Sequence, residues 1–339
     1  MKITGPALAE IEFKKVIKNR VEYRFDPLTQ QQCRINPDRA KRPKQAGGRL
    51  ELSEIISRTR ETCPFCPERV EERTPEFPQE MCQGGRIKLG ETIIFPNLNP
   101  FGENHAIGVM SRVHFLDLDE FSTETLRDNL LASRDYILSV YQRDKDAIWP
   151  IYVWNYMPPS AGSIIHPHSQ ILVETQPTPM QARLLGRSEE YFNQNSQNYW
   201  QDLVKQERKL NQRFIYQSDC LSLIATFAPQ GFNEVQFVFR ELSSLAELNE
   251  RQIEDFAYCL VRALKGYKKL GIGSFNLVSF SAPVGKHLDY YRLNAKLISR
   301  PYPAEVYTND SGPFERLYDV WVIDTLPEIV AEKVKPFFT

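Results

Sequence analysis

His166 and His168 stand two residues apart in Ile164-Ile165-His166-Pro167-His168-Ser169-Gln170-Ile171-Leu172-Val173, a run otherwise rich in strand-forming apolar residues. Side chains two apart on a strand share a face, so the run predicts two imidazoles turned the same way. A neutral imidazole is both a nucleophile toward phosphorus and a ligand for zinc. Pro167 removes a backbone donor and fixes φ, which suits a sheet edge or an irregular strand entry better than a central ladder. The chain has five histidines, so placing two of them in this way is informative. The alternative without chemistry is a pair of hydrogen-bonded strand histidines.

Two other stretches carry candidate chemistry. Cys63-Pro64-Phe65-Cys66-Pro67 is a knuckle that points two thiolates at one ion, half of a zinc site if histidines complete it. A redox role is the competing reading, although no βαβ pattern surrounds the motif. Pro37-Asp38-Arg39-Ala40-Lys41-Arg42-Pro43 sets Arg39 and Arg42 in a Pro-bounded loop, where planar guanidiniums can fork onto phosphate oxygens. A basic surface loop explains the same run without a ligand.

The elements that must hold these groups follow from periodicity. Residues 8–26 alternate apolar and charged positions, as one or two strands do. Residues 44–62 read as a flexible insertion that includes Gly47, Gly48 and Arg49 and ends in a helical patch. Ile93 to Met110 reads as strand, turn and strand, with His105 after a Gly-containing turn as a structural residue. Ser122 to Tyr141 has helical spacing of Leu126, Leu130, Ile137 and Val140. Ala147 to Trp154 is a strand ending at Asn155. The segment from Tyr156 to Ser163 is too rich in Pro and small residues for regular structure, and its amides, with Gly162 and the Ser163 hydroxyl, can cradle a phosphate.

The pattern also repeats. Asn99 to Val109 is matched by Ala228 to Val238, and His114-Phe115-Leu116 by Glu241-Leu242-Ser243, each followed by a helix and further strands. Two copies of one α+β unit are expected, over residues 1–200 and 201–339. At this level His166-Pro167-His168 is matched by Asn294-Ala295-Lys296, so only the first copy can be nucleophilic.

Composition narrows the partners. The chain has 339 residues, 42% of them hydrophobic, enough for a large core. Its 42 Lys and Arg balance 43 Asp and Glu, so no basic field favours nucleic acid or an anionic membrane surface. No signal-peptide core and no long apolar run stand out, which favours a cytoplasmic protein. Cys33, Cys82, Cys220 and Cys259 read as free thiols.

The His-Pro-His-Ser-Gln stretch, with Asn155 eleven positions and Ser163 three positions before His166, resembles the active-site strand of galactose-1-phosphate uridylyltransferases in the histidine-triad superfamily. The Arg39 to Arg42 loop, the Cys63 and Cys66 knuckle, the segment from His114 and Asn97 in Phe95-Pro96-Asn97 are similar to further signatures of that family. The resemblance implies an α+β fold of two histidine-triad-like halves in one mostly antiparallel sheet with flanking helices. It implies that His168 attacks the α-phosphorus of a nucleoside diphosphate compound and carries the nucleotidyl group. One structural zinc ion per chain would sit on Cys63, Cys66, His114 and His166. Arg39 and Arg42 would contact the diphosphate, and Asn97 and Asn155 the nucleotide. Substrates would be a nucleotide sugar and a sugar 1-phosphate or phosphate, and the protein a homodimer. Some members carry a second metal where this chain has Asn294 and Lys296, so none is expected here. The segment 304–325 matches the family's sugar-contacting region only loosely. Hydrolytic members of the superfamily hold a third histidine where this chain has Gln170; an amide hydrogen-bonds a phosphoryl oxygen but transfers no proton, which favours transfer over hydrolysis. The alternatives are an ADP-glucose or diadenosine tetraphosphate phosphorylase, a hydrolase that has lost its third histidine, and a nucleotide-binding protein without turnover.

Overall fold

The computed structural model describes residues 10–42, 50–304 and 309–338. Pro43, Gly47, Gly48 and Arg49, with Glu305 and Tyr307, lie outside the described residues.

The chain opens on a hairpin of β1 (Lys15–Lys18) and β2 (Val21–Phe25). Its two turn residues, Asn19 and Arg20, both take positive φ (49° and 66°), as a turn matched to strand twist requires. β3 (Gln32–Ile35) follows, then a short 3-10 turn over Pro37–Lys41 whose N-cap is Asn36. α1 (Leu52–Arg60) and α2 (Val70–Arg73) bracket the cysteine knuckle. β4 (Ile87–Leu89), β5 (Thr92–Pro96) and β6 (Asn104–Val109) form a meander. α3 (Thr123–Arg143) begins at Ser122, whose side chain accepts from the Thr125 amide. β7 (Trp149–Tyr156) and β8 (His168–Glu174) enclose the Pro-rich segment.

Two helices without counterpart in the first copy come next, α4 (Pro179–Asn195) and α5 (Tyr199–Leu210). β9 (Phe214–Gln217), β10 (Leu221–Ala225), β11 (Phe232–Phe239), α6 (Glu250–Lys269), β12 (Phe275–Phe280) and β13 (Asn294–Ser299) then reproduce the order of the first half. α7 (Pro313–Leu317), β14 (Val320–Ile323) and α8 (Pro327–Val334) close the chain.

One antiparallel sheet of ten strands runs β4-β5-β6-β8-β7-β12-β13-β11-β10-β9. The order reads the same from either end once each strand is exchanged for its repeat, which is the duplicated α+β architecture the repeat predicts. α3 and α6 bury one face of this sheet with Ile137, Val140, Phe256 and Leu260 against Trp154, Ile171, Phe237 and Leu277. Because strand residues alternate, His168 and Gln170 fall on the other face. A second, four-stranded sheet in the order β1-β2-β3-β14 joins the two ends of the chain.

Of the two settings expected for Pro167, the irregular strand entry is the one found: β8 is not an edge strand but lies between β6 and β7, with Val109 opposite His168 and Trp154 opposite Ser169. Pro167 avoids the ladder by sitting in the bend before it, and its carbonyl accepts from the Met110 amide at 3.0 Å. His166 therefore stands off the strand. The repeat is also shifted by two residues from the sequence match. Val109 pairs with His168 as Val238 pairs with Asn294, and Ile107 with Gln170 as Gln236 with Lys296. Lys296 thus corresponds to Gln170.

Where the two sheets meet, the buried Arg24 guanidinium binds Glu328 at 2.9 and 3.0 Å and Glu22 at 2.8 Å, and lies over the Phe227 ring. Burial raises the Glu328 carboxyl, but the hydrogen bond and charge of Arg24 outweigh it and leave it at about 2. A carboxyl held below its unfolded value of 4.5 contributes stability that is complete above that value and is lost as pH falls toward 2. Glu328→Ala removes a carboxylate shared by buried Arg24 and Arg213, leaving Glu22 and the Phe227 carbonyl on Arg24, and is expected to cost about 2 kcal/mol at neutral pH in a denaturant titration, with a smaller loss near pH 3.

Candidate functional site

Cys63, Cys66, His114 and His166 come together, all buried, with their four ligand atoms within 4.8 Å of one another. The Nδ1 atom of His166 lies 3.7 Å from each thiol, and Nδ1 of His114 lies 3.4 Å from Cys66 Sγ. Each ring is turned by a partner on its far nitrogen. His166 Nε2 is 2.7 Å from the Ser111 carbonyl, which only accepts, so the proton is on Nε2 and Nδ1 is bare. Thr59 of α1 spends its hydroxyl proton on the Ile55 carbonyl at 2.7 Å, so its oxygen accepts from His114 Nε2 at 3.0 Å. Both imidazoles thus present a lone pair to the thiols. Burial pushes the Cys63 thiol up to about 11 and His166 down to about 4, so thiolates here need a cation. Two sulfurs and two bare imidazole nitrogens in this arrangement could hold a metal ion.

His168 opens β8 two residues beyond the cluster, 7% exposed. Its Nδ1 lies 2.7 Å from the carbonyl of His166, so Nδ1 donates and Nε2 keeps its lone pair. Burial lowers its pKa, opposed by that hydrogen bond, and the ring is neutral at physiological pH. Phe65, from the cysteine knuckle, meets His168 edge-on at 5.2 Å and His166 at 6.3 Å. The metal cluster and His168 are therefore packed against one aromatic ring.

Gln170 lies on the same face as His168, and its Oε1 is 2.9 Å from Nε2 of His105. Asn97 contacts the same imidazole through Nδ2, at 3.3 Å from Nδ1 and 3.1 Å from Nε2. His105 is thus the residue that sequence reasoning missed. Its partner is 65 positions away, and only the pairing of β6 with β8 makes the contact.

Asn155 is on β7, where its Oδ1 accepts from Asn276 of β12 at 2.7 Å. The Pro-rich segment turns sharply, with Met157 and Ala161 both at positive φ (70° and 69°), backbone held by its surroundings. Gly162 meets the carbonyl of Asn155: a Cβ there would lie 2.9 Å from that oxygen. Ser163 is exposed next to it. Arg39 and Arg42 are exposed on the turn after β3, and among the described residues neither forms an ion pair. The structure brings the cluster, His168 and Gln170 together and leaves the two arginines outside their contacts.

The fold matches those of solved structures. An ADP-glucose phosphorylase from Arabidopsis thaliana, solved with bound ADP-glucose, superposes with a TM-score of 0.73 at 20% identity, covering 93% of this chain and 98% of that one. A uridylyltransferase structure gives 0.67 at 22% identity over 93% and 98%. A GalT-like protein from Arabidopsis thaliana gives 0.67 at 20% identity over 81% and 91%. The chain has the fold of these uridylyltransferase-like proteins. An uncharacterized protein of Archaeoglobus fulgidus is 29% identical over 326 residues, 96% of this chain and 94% of that one. No family model matches. Among the described residues no helix is long and apolar enough to cross a membrane.

Thr59 offers a test of the cluster that leaves all four ligand atoms in place. Thr59→Val removes the acceptor that orients His114, and metal affinity measured by chelator competition is expected to fall about 10- to 100-fold.

Proposed function

We propose that the protein is a nucleotidylyltransferase that moves a nucleoside monophosphate between a nucleotide sugar and a sugar 1-phosphate or inorganic phosphate, carrying it on His168. The observation behind this reading is the hydrogen bond from His168 Nδ1 to the His166 carbonyl, which leaves Nε2 as the free nucleophile. The Nε2 lone pair forms a bond to the α-phosphorus, and the bond from that phosphorus to the leaving phosphate oxygen breaks. The electron pair departs with the leaving group, a phosphate ester acidic enough to leave without a proton. A phosphate oxygen of the acceptor then attacks the same phosphorus and breaks the phosphorus–nitrogen bond. Two displacements give retention at phosphorus and ping-pong kinetics.

Gln170 donates to a phosphoryl oxygen and gives no proton to water, so the intermediate waits for an acceptor phosphate. Arg39, Arg42, Ser163 and the amide of Gly162 hold the charge on the diphosphate, while Asn97 and Asn155 contact the nucleoside. Zinc fits the two sulfurs and two imidazole nitrogens; with four protein ligands it has no open position and serves to fix His166, and through it His168. The active species is a homodimer. The phosphorylase reading, with adenosine as the base and inorganic phosphate as acceptor, is the same chemistry and is favoured by the TM-score of 0.73 to the ADP-glucose phosphorylase.

Incubation with UDP-glucose, ADP-glucose and ATP, each labelled at the α-phosphorus, is expected to leave acid-labile, base-stable label on the protein from one base. His168→Gly should keep its zinc and bind nucleotide yet lose transfer by a factor on the order of 10^4 or more. Gln170→His should raise the ratio of hydrolysis to transfer. Label that persists in His168→Gly would overturn the assignment.

A further inference from the structure

The contact between His105 and Gln170 has a direction that can be fixed atom by atom. The backbone amide of Phe101, which only donates, lies 3.4 Å from His105 Nδ1. The Asn97 side chain approaches the same nitrogen with Nδ2 at 3.3 Å, since its Oδ1 is taken by the Asn99 amide at 3.0 Å. Asn97 Nδ2 is also 3.1 Å from Nε2 and does not tell the two nitrogens apart; the Phe101 amide does, because a donor at Nδ1 requires it to be bare, which puts the single proton of the neutral ring on Nε2. His105 is 5% exposed, and burial lowers its pKa against the opposing hydrogen bond to Gln170, so the ring is neutral. Nε2 faces Gln170 at 2.9 Å, and a donor there requires the facing atom to be the amide oxygen. The Gln170 NH2 is thereby turned away from His105, and among the described residues it donates to no protein acceptor.

We infer that His105 is a positioning residue for the phosphoryl-transfer site: its Nε2 proton locks the Gln170 amide in the orientation that offers NH2, not oxygen, to the phosphate. An unlocked amide can turn over and set its carbonyl oxygen against a phosphoryl oxygen, two acceptors face to face. The Phe101 amide, His105 and Gln170 form a relay in which each side chain is oriented by the group before it. The relay begins at a backbone amide in the loop between β5 and β6 and ends at the reacting phosphate. This rests on the nucleotidyl-transfer reading for its consequence, and on the hydrogen bonds alone for its geometry.

The geometry is read first, without substrate. Proton–nitrogen correlation spectra of protein labelled with 15N-histidine should show His105 as the Nε2-protonated tautomer; an Nδ1-protonated ring would overturn the relay. For the consequence, the rate of nucleotidyl-enzyme formation is measured in His105→Leu, His105→Gln, Gln170→Ala and the His105→Leu, Gln170→Ala double variant. Zinc content and melting temperature are followed alongside. His105→Leu should slow the step about 10- to 100-fold, the scale of a misplaced catalytic group. His105→Gln, which restores a donor, should recover most of the loss. On a Gln170→Ala background the loss of His105 should cost nothing further, because the relay then has nothing to orient. A wild-type rate in His105→Leu, or losses that add in the double variant, would overturn the proposal. A wild type that forms no covalent adduct would count against nucleotidyl transfer, while the tautomer would still decide the relay.

Discussion

The hydrogen bond from His168 Nδ1 to the carbonyl of His166 is the constraint on which the site depends, because it selects which imidazole nitrogen is free. That carbonyl is useful only if His166 is fixed. His166 lies off the strand, where no ladder holds it; the thiols of Cys63 and Cys66 stand at its Nδ1 and the Ser111 carbonyl at its Nε2. One residue thus serves two tasks, its ring toward the two cysteines and its backbone toward His168. Pro167 between the two histidines keeps the bend that separates these tasks. Phe65 of the knuckle packs against both rings and ties the arrangement together.

The duplicated sheet holds this arrangement of side chains in its first half alone among the described residues. In the second half, Lys296 occupies the register position of Gln170 and is bound to buried Glu234 at 3.0 Å and to Gln230 at 2.8 Å. Leu184 of α4 with Trp200 and Leu203 of α5 cover that part of the face, leaving a cavity of about 30 Å³ beside Lys296 and Gln236. α4 and α5 have no counterpart in the first half, so the helices that interrupt the repeat are also those that fill the second site.

Much of this was legible in the residues themselves. The cysteine knuckle, His114 and the His-Pro-His-Ser-Gln stretch are local signals or carry a family pattern, and the structure assembles Cys63, Cys66, His114 and His166 as a cluster. Ser122 announced α3 because capping is a short-range interaction. What was not legible depended on pairing between distant strands. Pro167 suggested a sheet edge or an irregular strand entry because the rule for proline concerns ladder positions; that the ladder begins one residue later, which selects the second, is set by pairing with β6 and β7. The repeat was misaligned by two residues because nothing local in Asn294-Ala295-Lys296 says which of its residues faces Val238, and only the pairing of β11 with β13 does. His105 read as a structural residue, and it is buried and hydrogen-bonded; its contact with Gln170 was not legible because it joins strands far apart in the chain.

In the proposed reaction, Nε2 of His168 is the atom that bonds phosphorus. Protein labelled with 15N-histidine, trapped as its nucleotidyl intermediate, gives a direct reading through one-bond coupling between nitrogen and phosphorus. The coupling is predicted at Nε2 of His168, with Nδ1 still protonated and bound to the His166 carbonyl. Coupling at Nδ1 of His168, or at any other histidine, would contradict it.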